Sequence, residues 1–374
     1  MSSFTQEPVV RSRLRAPWQA LCVAAVIVMV AATAAALKYV AKEHDLDANP
    51  RIATWVPQAL NVAPRQEFHI VGSDTMDEIT LGWVKLFRKA YRGLSVTMEA
   101  RASGSGEPAL VDGRADVATI AREMLPREVQ AFRAKFGYGP TAFRVATGSL
   151  GALGKTAATV ILVAKDNPIP GLTLAQLDAI YSTTRKRGHA PITTWGDLGL
   201  TGPWARRPIH LYGLKPPNGI EHYFQINVLE GGAYKPGIEF VHTQGYTHAF
   251  TVAAHRIAKD PGGLTYAMLA NLTPDVRVVP LAAKAGQPFV APTVATVYSH
   301  EYPLSRYIYI YVNRRPGQPL RPEIKEFLRA VLSYQGQSVV AREGVFMPLT
   351  PTVVHEELAK LEGNGIEPTH HAER

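Results

Sequence analysis

Two short runs of glycine, serine and threonine hold the residues best suited to binding an anion. In the first, His69-Ile70-Val71 leads into Gly72-Ser73-Asp74-Thr75-Met76 and then into an amphipathic run, 77–91. That run puts Ile79, Trp83, Leu86, Phe87 and Ala90 on one helical face. Ser73, Asp74 and Thr75 stand at the helix start, where the first backbone N–H groups have no partner within the helix and side-chain oxygens can cap them. The same N–H groups, at the positive end of the helix dipole, also suit an anion. A capped helix with no ligand accounts for these residues equally well, so this run alone decides nothing. The second run is Ala102-Ser103-Gly104-Ser105-Gly106-Glu107-Pro108. Its glycines let backbone approach a ligand closely, and the hydroxyls of Ser103 and Ser105 can donate to an oxyanion. Pro108 fits a first helical turn, where no donor is needed. Both loops follow an extended segment and enter a helix, which puts one ligand cleft outside the carboxyl ends of a sheet.

In order along the chain, these motifs resemble the periplasmic phosphate-binding proteins, the substrate-binding subunits of phosphate ABC importers. Gly72 to Met76, Ser103 to Gly106 and Ala115-Asp116-Val117-Ala118 carry the resemblance in the first part. Asp166-Asn167-Pro168, 174–182 and Ile192 to Gly199 continue it. Tyr302 to Arg306, Tyr309 to Asn313 and Gly344 to Leu349 complete it, so that it covers roughly residues 66 to 352. The resemblance implies an α/β, two-lobed periplasmic-binding-protein fold with two interlobe crossover strands, the first near 157–163 and the second at Tyr307 to Val312. It also implies a monomer that binds phosphate or a similar oxyanion, without a cofactor or metal and without catalysis, and works with an ABC permease or another envelope protein.

One loop departs from the family pattern. Where relatives read Gly-Arg-x-x-x-Ser-Gly-Thr, this chain has Gly213-Leu214-Lys215-Pro216-Pro217-Asn218-Gly219-Ile220. Leu214 replaces the arginine, Asn218 the serine and Ile220 the threonine, while Pro216 and Pro217 remove two backbone donors. Lys215 offers a charge from the next position, as a point donor without the bidentate fork. Hydrogen bonds to a charged group contribute about 1.5–3 kcal/mol each, and about 1.4 kcal/mol is tenfold in affinity. Losing two such donors could therefore weaken phosphate binding by several orders of magnitude. The ligand residues carried over are Ser73, Asp74, Thr75, Met76 through its N–H, Ser103, Gly104 and Ser105 in the first lobe. Lys215, Asn218 and Gly219 are those of the second. The family's carboxylate acceptor falls at Ala121 and is lost; Asp74 could take over, accepting the proton of HPO₄²⁻ that sulfate lacks. Two readings stay open: an exported phosphate binder of altered affinity, and a degenerate module that acts through protein contacts in the envelope.

Other chemistries fit less well. Gly148 to Thr156 imitates a nucleotide loop, but five residues lie between Gly148 and Gly154 where four must intervene, and an apolar, β-branched run follows where a helix is required. Ser103-Gly104-Ser105-Gly106 is not a nucleophile elbow, and no His/Asp pairing or metal-ligand spacing accompanies it. The net charge of +9 has no nucleic-acid-binding motif beside it, and its densest cluster, Arg185-Lys186-Arg187, reads as a solvated loop. Trp195-Gly196-Asp197-Leu198 reads as a packing turn, and His370-His371 as solvated.

A chain of 374 residues, 46% apolar and 19% charged, is long enough for two lobes with full cores. Residues 1–16 form a basic leader with Arg11, Arg13 and Arg15 ahead of an apolar run at 17–37, a signal sequence or a membrane anchor. Its basic flank puts the remainder of the chain outside the cytoplasm. The one cysteine, Cys22, lies in this run, so no intrachain disulfide forms. Residues 38–66 read as a spacer, 67–156 with 305–352 as lobe I, 157–304 as lobe II with the first crossover, and 353–374 as a polar tail. Within lobe I, Met124 to Tyr138 has helical character with Val129, Phe132 and Phe136 on a common side.

Overall fold

The computed structural model describes residues 41–60, 67–241 and 246–363. The leader, the apolar run at 17–37 with Cys22, and His370-His371 lie outside the described residues. Among those described, no helix is long and apolar enough to cross a membrane.

Lobe I is built on a five-stranded sheet. Its strands are β1 (Glu67–Ser73), β2 (Ser95–Arg101), β3 (Val117–Ile120), β4 (Thr141–Thr147) and, returning from far along the chain, β12 (Tyr307–Val312). In the order β2-β1-β3-β12-β4, β1 runs parallel to both neighbours, whereas β12 is antiparallel to β3 and β4. The period of two is plain in β12: Ile308, Ile310 and Val312 join one core, while Tyr309 and Tyr311 pack into the core on the other face. Helix α1 (Asp77–Ala90) covers the first face together with α8 (Pro322–Val331) and α9 (Tyr334–Glu343). Its buried stripe is Ile79, Thr80, Trp83, Val84 and Phe87; Ala90, expected on that face, is exposed. Helices α2 (Gly106–Val111) and α3 (Pro126–Phe136) cover the second face, with Phe132 fully buried and Val129 and Phe136 packed beside it.

A second five-stranded sheet, ordered β10-β5-β9-β7-β8, forms the centre of lobe II. It comprises β5 (Thr159–Ala164), β7 (His210–Leu214), β8 (Glu239–Val241), β9 (Gly263–Met268) and β10 (Val276–Val279); β6 (Leu172–Thr173) and β11 (Leu281–Ala282) pair separately. All six residues of β5 are buried, which is why its sequence reads as a continuous apolar, β-branched run. Around the sheet lie α4 (Leu174–Tyr181), α5 (Gly219–Asn227), α6 (Tyr246–Lys259) and the short α7 (Val294–Tyr298). The lobe's core includes Tyr181, Trp195, Phe224 and Tyr266, with Phe224 and Tyr266 stacked at 4.3 Å. Trp195 is fully buried inside a short 3₁₀ turn, and Asp197 accepts from the Thr193 and Thr194 N–H groups, so this is a packing turn.

The chain passes between the lobes twice. The two passages run side by side, with the Gly148 N–H donating to Arg306 O at 2.7 Å and the Thr159 N–H to Leu304 O at 3.1 Å. Strands β5 and β12 themselves each lie wholly within one sheet, so the passages are the segments just before them.

Two ends of the chain differ from the sequence reading. The segment before β1 is no free spacer where it is described: Trp55 is buried on lobe I, its indole N–H donating to Glu326 Oε1 at 2.8 Å and its backbone N–H to Gln335 Oε1 at 2.7 Å. Nearer the passages, Glu43 accepts from the Leu150 and Gly151 N–H groups, at 2.7 and 2.9 Å. Nor are residues 353–361 part of a polar tail. They belong to α10 (Pro351–Leu361), which Thr350 caps and which buries Val353, Val354, Glu357 and Leu361 against the lobe. The polar residues His355, Glu356, Glu357 and Lys360 hid that stripe. Trp55→Ala removes a buried indole and its bond to a buried carboxylate, so a loss of about 3 kcal/mol or more is expected in denaturant unfolding. An unattached spacer would show none.

Candidate functional site

The turn Asp74–Met76 after β1 is tight because Ser73 caps it: the Thr75 N–H donates to Ser73 Oγ at 3.3 Å, and the two hydroxyls lie 2.9 Å apart. Met76 is fully buried, so only its backbone faces the loop. The Asp74 carboxylate caps nothing; it is exposed, and Asp77 takes the Glu78 N–H instead. Capping by Asp74, one of its two sequence-based roles, is thus taken by its neighbours. Lys155, from the passage between lobes, donates to Thr75 O at 2.9 Å and pairs with Glu343 at 3.1 Å. The lysine of the false nucleotide motif therefore anchors this turn.

The second loop forms a 3₁₀ turn, Ser103–Ser105, that runs into α2. Ser103 Oγ accepts from the Ala121 N–H at 3.2 Å, which leaves its own proton to be donated. Ser105 differs from expectation. Its hydroxyl donates to Ala102 O at 2.7 Å, three residues back, with Gly72 O at 3.4 Å, so its single proton is spent within the loop and is not offered to a ligand.

In lobe II, Asn218 caps α5, its Oδ1 accepting from the Ile220 N–H at 2.8 Å and the Glu221 N–H at 3.5 Å. The cap leaves the Gly219 N–H at the helix start unused by the side chain. At the other end of α5, Arg187 donates to Val228 O and Asn227 O, both at 2.7 Å, and Lys186 donates to Glu230 O at 2.9 Å. The Arg185-Lys186-Arg187 cluster is therefore more than a solvated loop: its cations meet the carbonyl end of α5 and complement the dipole whose positive end faces the lobes' boundary. Lys215 is exposed. Leu214 is 2% exposed within the lobe II core, and its N–H donates to the Tyr266 hydroxyl at 3.1 Å.

Arg122, at the exit of β3, joins the two halves. A Cβ built on Gly219 of lobe II would lie 2.8 Å from Arg122 Cδ and 3.5 Å from its Nε, and one built on Gly104 would lie 4.0 Å from its Nη2. Glycine is needed at 219 because any side chain would displace the arginine. Arg122 is paired end-on with Glu128 at 2.7 and 2.8 Å, and Glu128 also accepts the Leu125 N–H. Beside it, Glu123 receives Arg306 at 2.9 Å and the Tyr309 hydroxyl at 3.3 Å, while Arg306 lies over the Tyr223 ring. His222 of α5 is buried against this cluster and held below the usual histidine range. Burial is the largest cause; Arg122 and Arg306 add to it, and Glu123 and Glu128 oppose it.

The structure thus brings Gly104 of the serine loop and Gly219 against Arg122, with Ser103 on the Ala121 N–H one residue before it and Asn218 adjacent to Gly219. Sequence reasoning passed over Arg122, Glu128, Lys155, His222 and Arg306. A signal was there in Arg122, one residue after the lost acceptor position, with Glu128 a helical turn into α3. Two surface depressions lie elsewhere, one of about 600 Å³ between α1 and α9 and one of about 420 Å³ beside β7. Among the described residues no three His, Cys, Asp or Glu side chains are grouped to hold a metal ion.

Two lobes of α/β structure, joined by two passages and facing each other across polar loops, define a solute-binding protein. Residues 57–334 match the model of the PBP superfamily domain. The chain is 36% identical over 292 residues to the phosphate-binding protein PstS of Pseudomonas aeruginosa, covering 78% of this chain and 85% of that protein. PstS of Staphylococcus saprophyticus is 23% identical over 292 residues, covering 78% and 83% of the two chains. Among solved structures, PstS of Borrelia burgdorferi aligns with a TM-score of 0.48 at 17% identity, over 76% of this chain and all of that one. The chain belongs to the PBP superfamily and, within it, to the family of the PstS phosphate-binding proteins.

Restoring the family's lobe II arginine meets an obstacle in the burial of Leu214. Leu214→Arg places a guanidinium in an aromatic and aliphatic core. Denaturant unfolding should show a loss of about 3 kcal/mol or more, with no gain in anion affinity. A folded variant with tighter anion binding would mean that residue 214 can turn to the cleft.

Proposed function

We propose that this chain is an exported solute-binding protein that takes up inorganic phosphate, or an oxyanion of the same shape, between its two lobes and delivers it to an ABC-type permease or to phosphate-linked sensing. One observation carries the reading: the serine loop at Gly104 and the start of α5 at Gly219 approach Arg122 from the two lobes, in a chain of the phosphate-binding family. Thr75, the Met76 N–H and Ser103 serve as the lobe I ligands, with Gly104 providing close approach. Asn218 and Gly219 serve from lobe II, and Lys215 adds charge at the rim. Ser73 and Ser105 hold the loops in place. Asp74, exposed and free of capping duty, accepts the proton that distinguishes HPO₄²⁻ from sulfate. The protein acts as a monomer, by binding and release without bond chemistry.

In the same reading, residues 17–37 export the chain and keep it at the periplasmic face of the inner membrane, or are cut away after export. The alternative, a module working through protein contacts, is favoured by the burial of Leu214, which leaves lobe II without the family's arginine.

Calorimetric titration of the protein with phosphate and sulfate tests the assignment. Ser103→Ala should weaken phosphate binding about tenfold or more, and Asp74→Asn should narrow the preference for phosphate over sulfate. No binding by the wild type would leave the protein-contact module as the better reading. For topology, a reporter enzyme active only in the periplasm and fused after residue 66 should be active; a cytoplasm-only reporter working at that point would overturn export.

A further inference from the structure

Arg122 has five N–H groups in a planar fork, and three of them are taken. Nη1 donates to Glu128 Oε2 and to Glu123 O, both at 2.8 Å, and Nη2 donates to Glu128 Oε1 at 2.7 Å. Glu128 thus holds the guanidinium by its Nη1–Nη2 end. The N–H of Nε and the second N–H of Nη2 remain, parallel to each other along one edge, and they meet no acceptor among the described residues. The surroundings of that edge are specific. A Cβ on Gly219, at the start of α5, would lie against the arginine's stem, 2.8 Å from Cδ and 3.5 Å from Nε, and one on Gly104, in the serine loop, would lie 4.0 Å from Nη2. These are the two glycines at which backbone from opposite lobes comes closest to the arginine.

No neighbouring carboxylate competes for the edge. Glu128 is committed to the far end and to the Leu125 N–H, and its side chain is only 6% exposed. Glu123 is committed to Arg306 and Tyr309. A buried arginine paired in this way commonly serves structure alone, and such a pair is weak evidence for stability. Here the pairing leaves the fork open on one side, and the serine loop, in which the Ser103 hydroxyl still has a proton to donate, comes up to Nη2 at Gly104.

We propose that the Nε–Nη2 edge of Arg122 receives two oxygens of the bound oxyanion, so that the cation of this site is supplied by lobe I at the exit of β3 in place of the lobe II arginine that Leu214 lacks. The assignment rests on the oxyanion-binding reading above. It follows that the site selects a ligand with two adjacent acceptor oxygens, and that lobe II contributes the start of α5 without a charged side chain.

The test is phosphate titration of the full-length protein in mild detergent, as wild type, Arg122→Lys, Arg122→Gln, Glu128→Gln and the Arg122→Gln/Glu128→Gln double variant, each checked for a cooperative melt. Arg122→Gln should weaken binding on the order of 30-fold or more, and Arg122→Lys, which keeps the charge and loses the fork, about tenfold. The loss caused by Arg122→Gln should be of the same size on the Glu128→Gln background, since a direct contact with the anion does not depend on Glu128. An arginine acting only as a strut for Glu128 would give no further loss in the double variant, and that result overturns the assignment. So does unchanged affinity in a folded Arg122→Gln. If Arg122→Gln fails to fold, Arg122→Lys decides: a phosphate-dependent rise in melting temperature equal to that of wild type overturns the assignment, and a clearly smaller rise supports it. Absence of phosphate binding by the wild type is a separate result, which overturns the functional reading and this assignment together.

Discussion

Two backbone hydrogen bonds set the register on which this molecule depends. Where the chain passes between lobes, Gly148 bonds to Arg306 and Thr159 to Leu304, so the two passages form a short ladder. Every residue that meets across the boundary does so in the geometry this ladder allows. Gly148 can take part because the carbonyl of Thr156 lies 2.5 Å from where a Cβ would be. The neighbouring Lys155 and Thr156 carry the alignment into the site, one bonded to Thr75 O and the other to Ala121 O. The ladder and the two anion loops are thereby one connected framework. A shift of the lobes would be felt at Thr75 and Ala121 directly.

The charges next to that ladder follow from the cost of burying ions. Arg306 is 3% exposed, and a guanidinium at that depth needs both a carboxylate and a surface to lie against. Glu123 and the Tyr223 ring provide them. Arg122 has Glu128 in the same way. Because each arginine has its own carboxylate, the cluster is balanced, and His222 stays on the neutral side of its range under the burial that α5 imposes. Donors remain in this cluster at the Nε–Nη2 edge of Arg122 and at the buried Nε of Arg306, which meets no partner among the described residues.

The termini show how far local sequence character can mislead. Residues 42–60 are rich in charge and proline, and 353–361 carry His355, Glu356, Glu357 and Lys360. Both nonetheless lie on lobe I, because a few apolar side chains, Ile52, Trp55, Val353 and Val354, find buried positions there. Glu326 is the common partner: it accepts from the Trp55 indole, the Gln58 N–H and the Tyr91 hydroxyl. One buried carboxylate with three donors is well satisfied, and it holds the segment before β1 against α1 and α8.

Sequence by itself determined the elements whose pattern is local. The buried stripe of Ile79, Trp83 and Phe87, the continuous apolar run of β5 and the alternation of isoleucine and tyrosine in β12 follow from the periods of helix and strand, and the ordered motifs were enough to name the family. The loops of Ser73 and Ser103 were legible for the same reason, since caps and glycine turns are written in adjacent residues. Tertiary structure alone decided what each of those residues has left to give. Ser103 and Ser105 are two positions apart and chemically identical, yet Ser103 takes the N–H of Ala121 from another strand's end and keeps its proton, while Ser105 spends its own on the carbonyl of Ala102. Leu214 stands at a ligand position by alignment and in a core by packing. Arg122 reads as an ordinary surface arginine until Gly219, 97 positions later, is folded against its side chain. Hydrogen-bond capacity is a property of the partners a side chain meets, and those partners are fixed by contacts far apart in the chain.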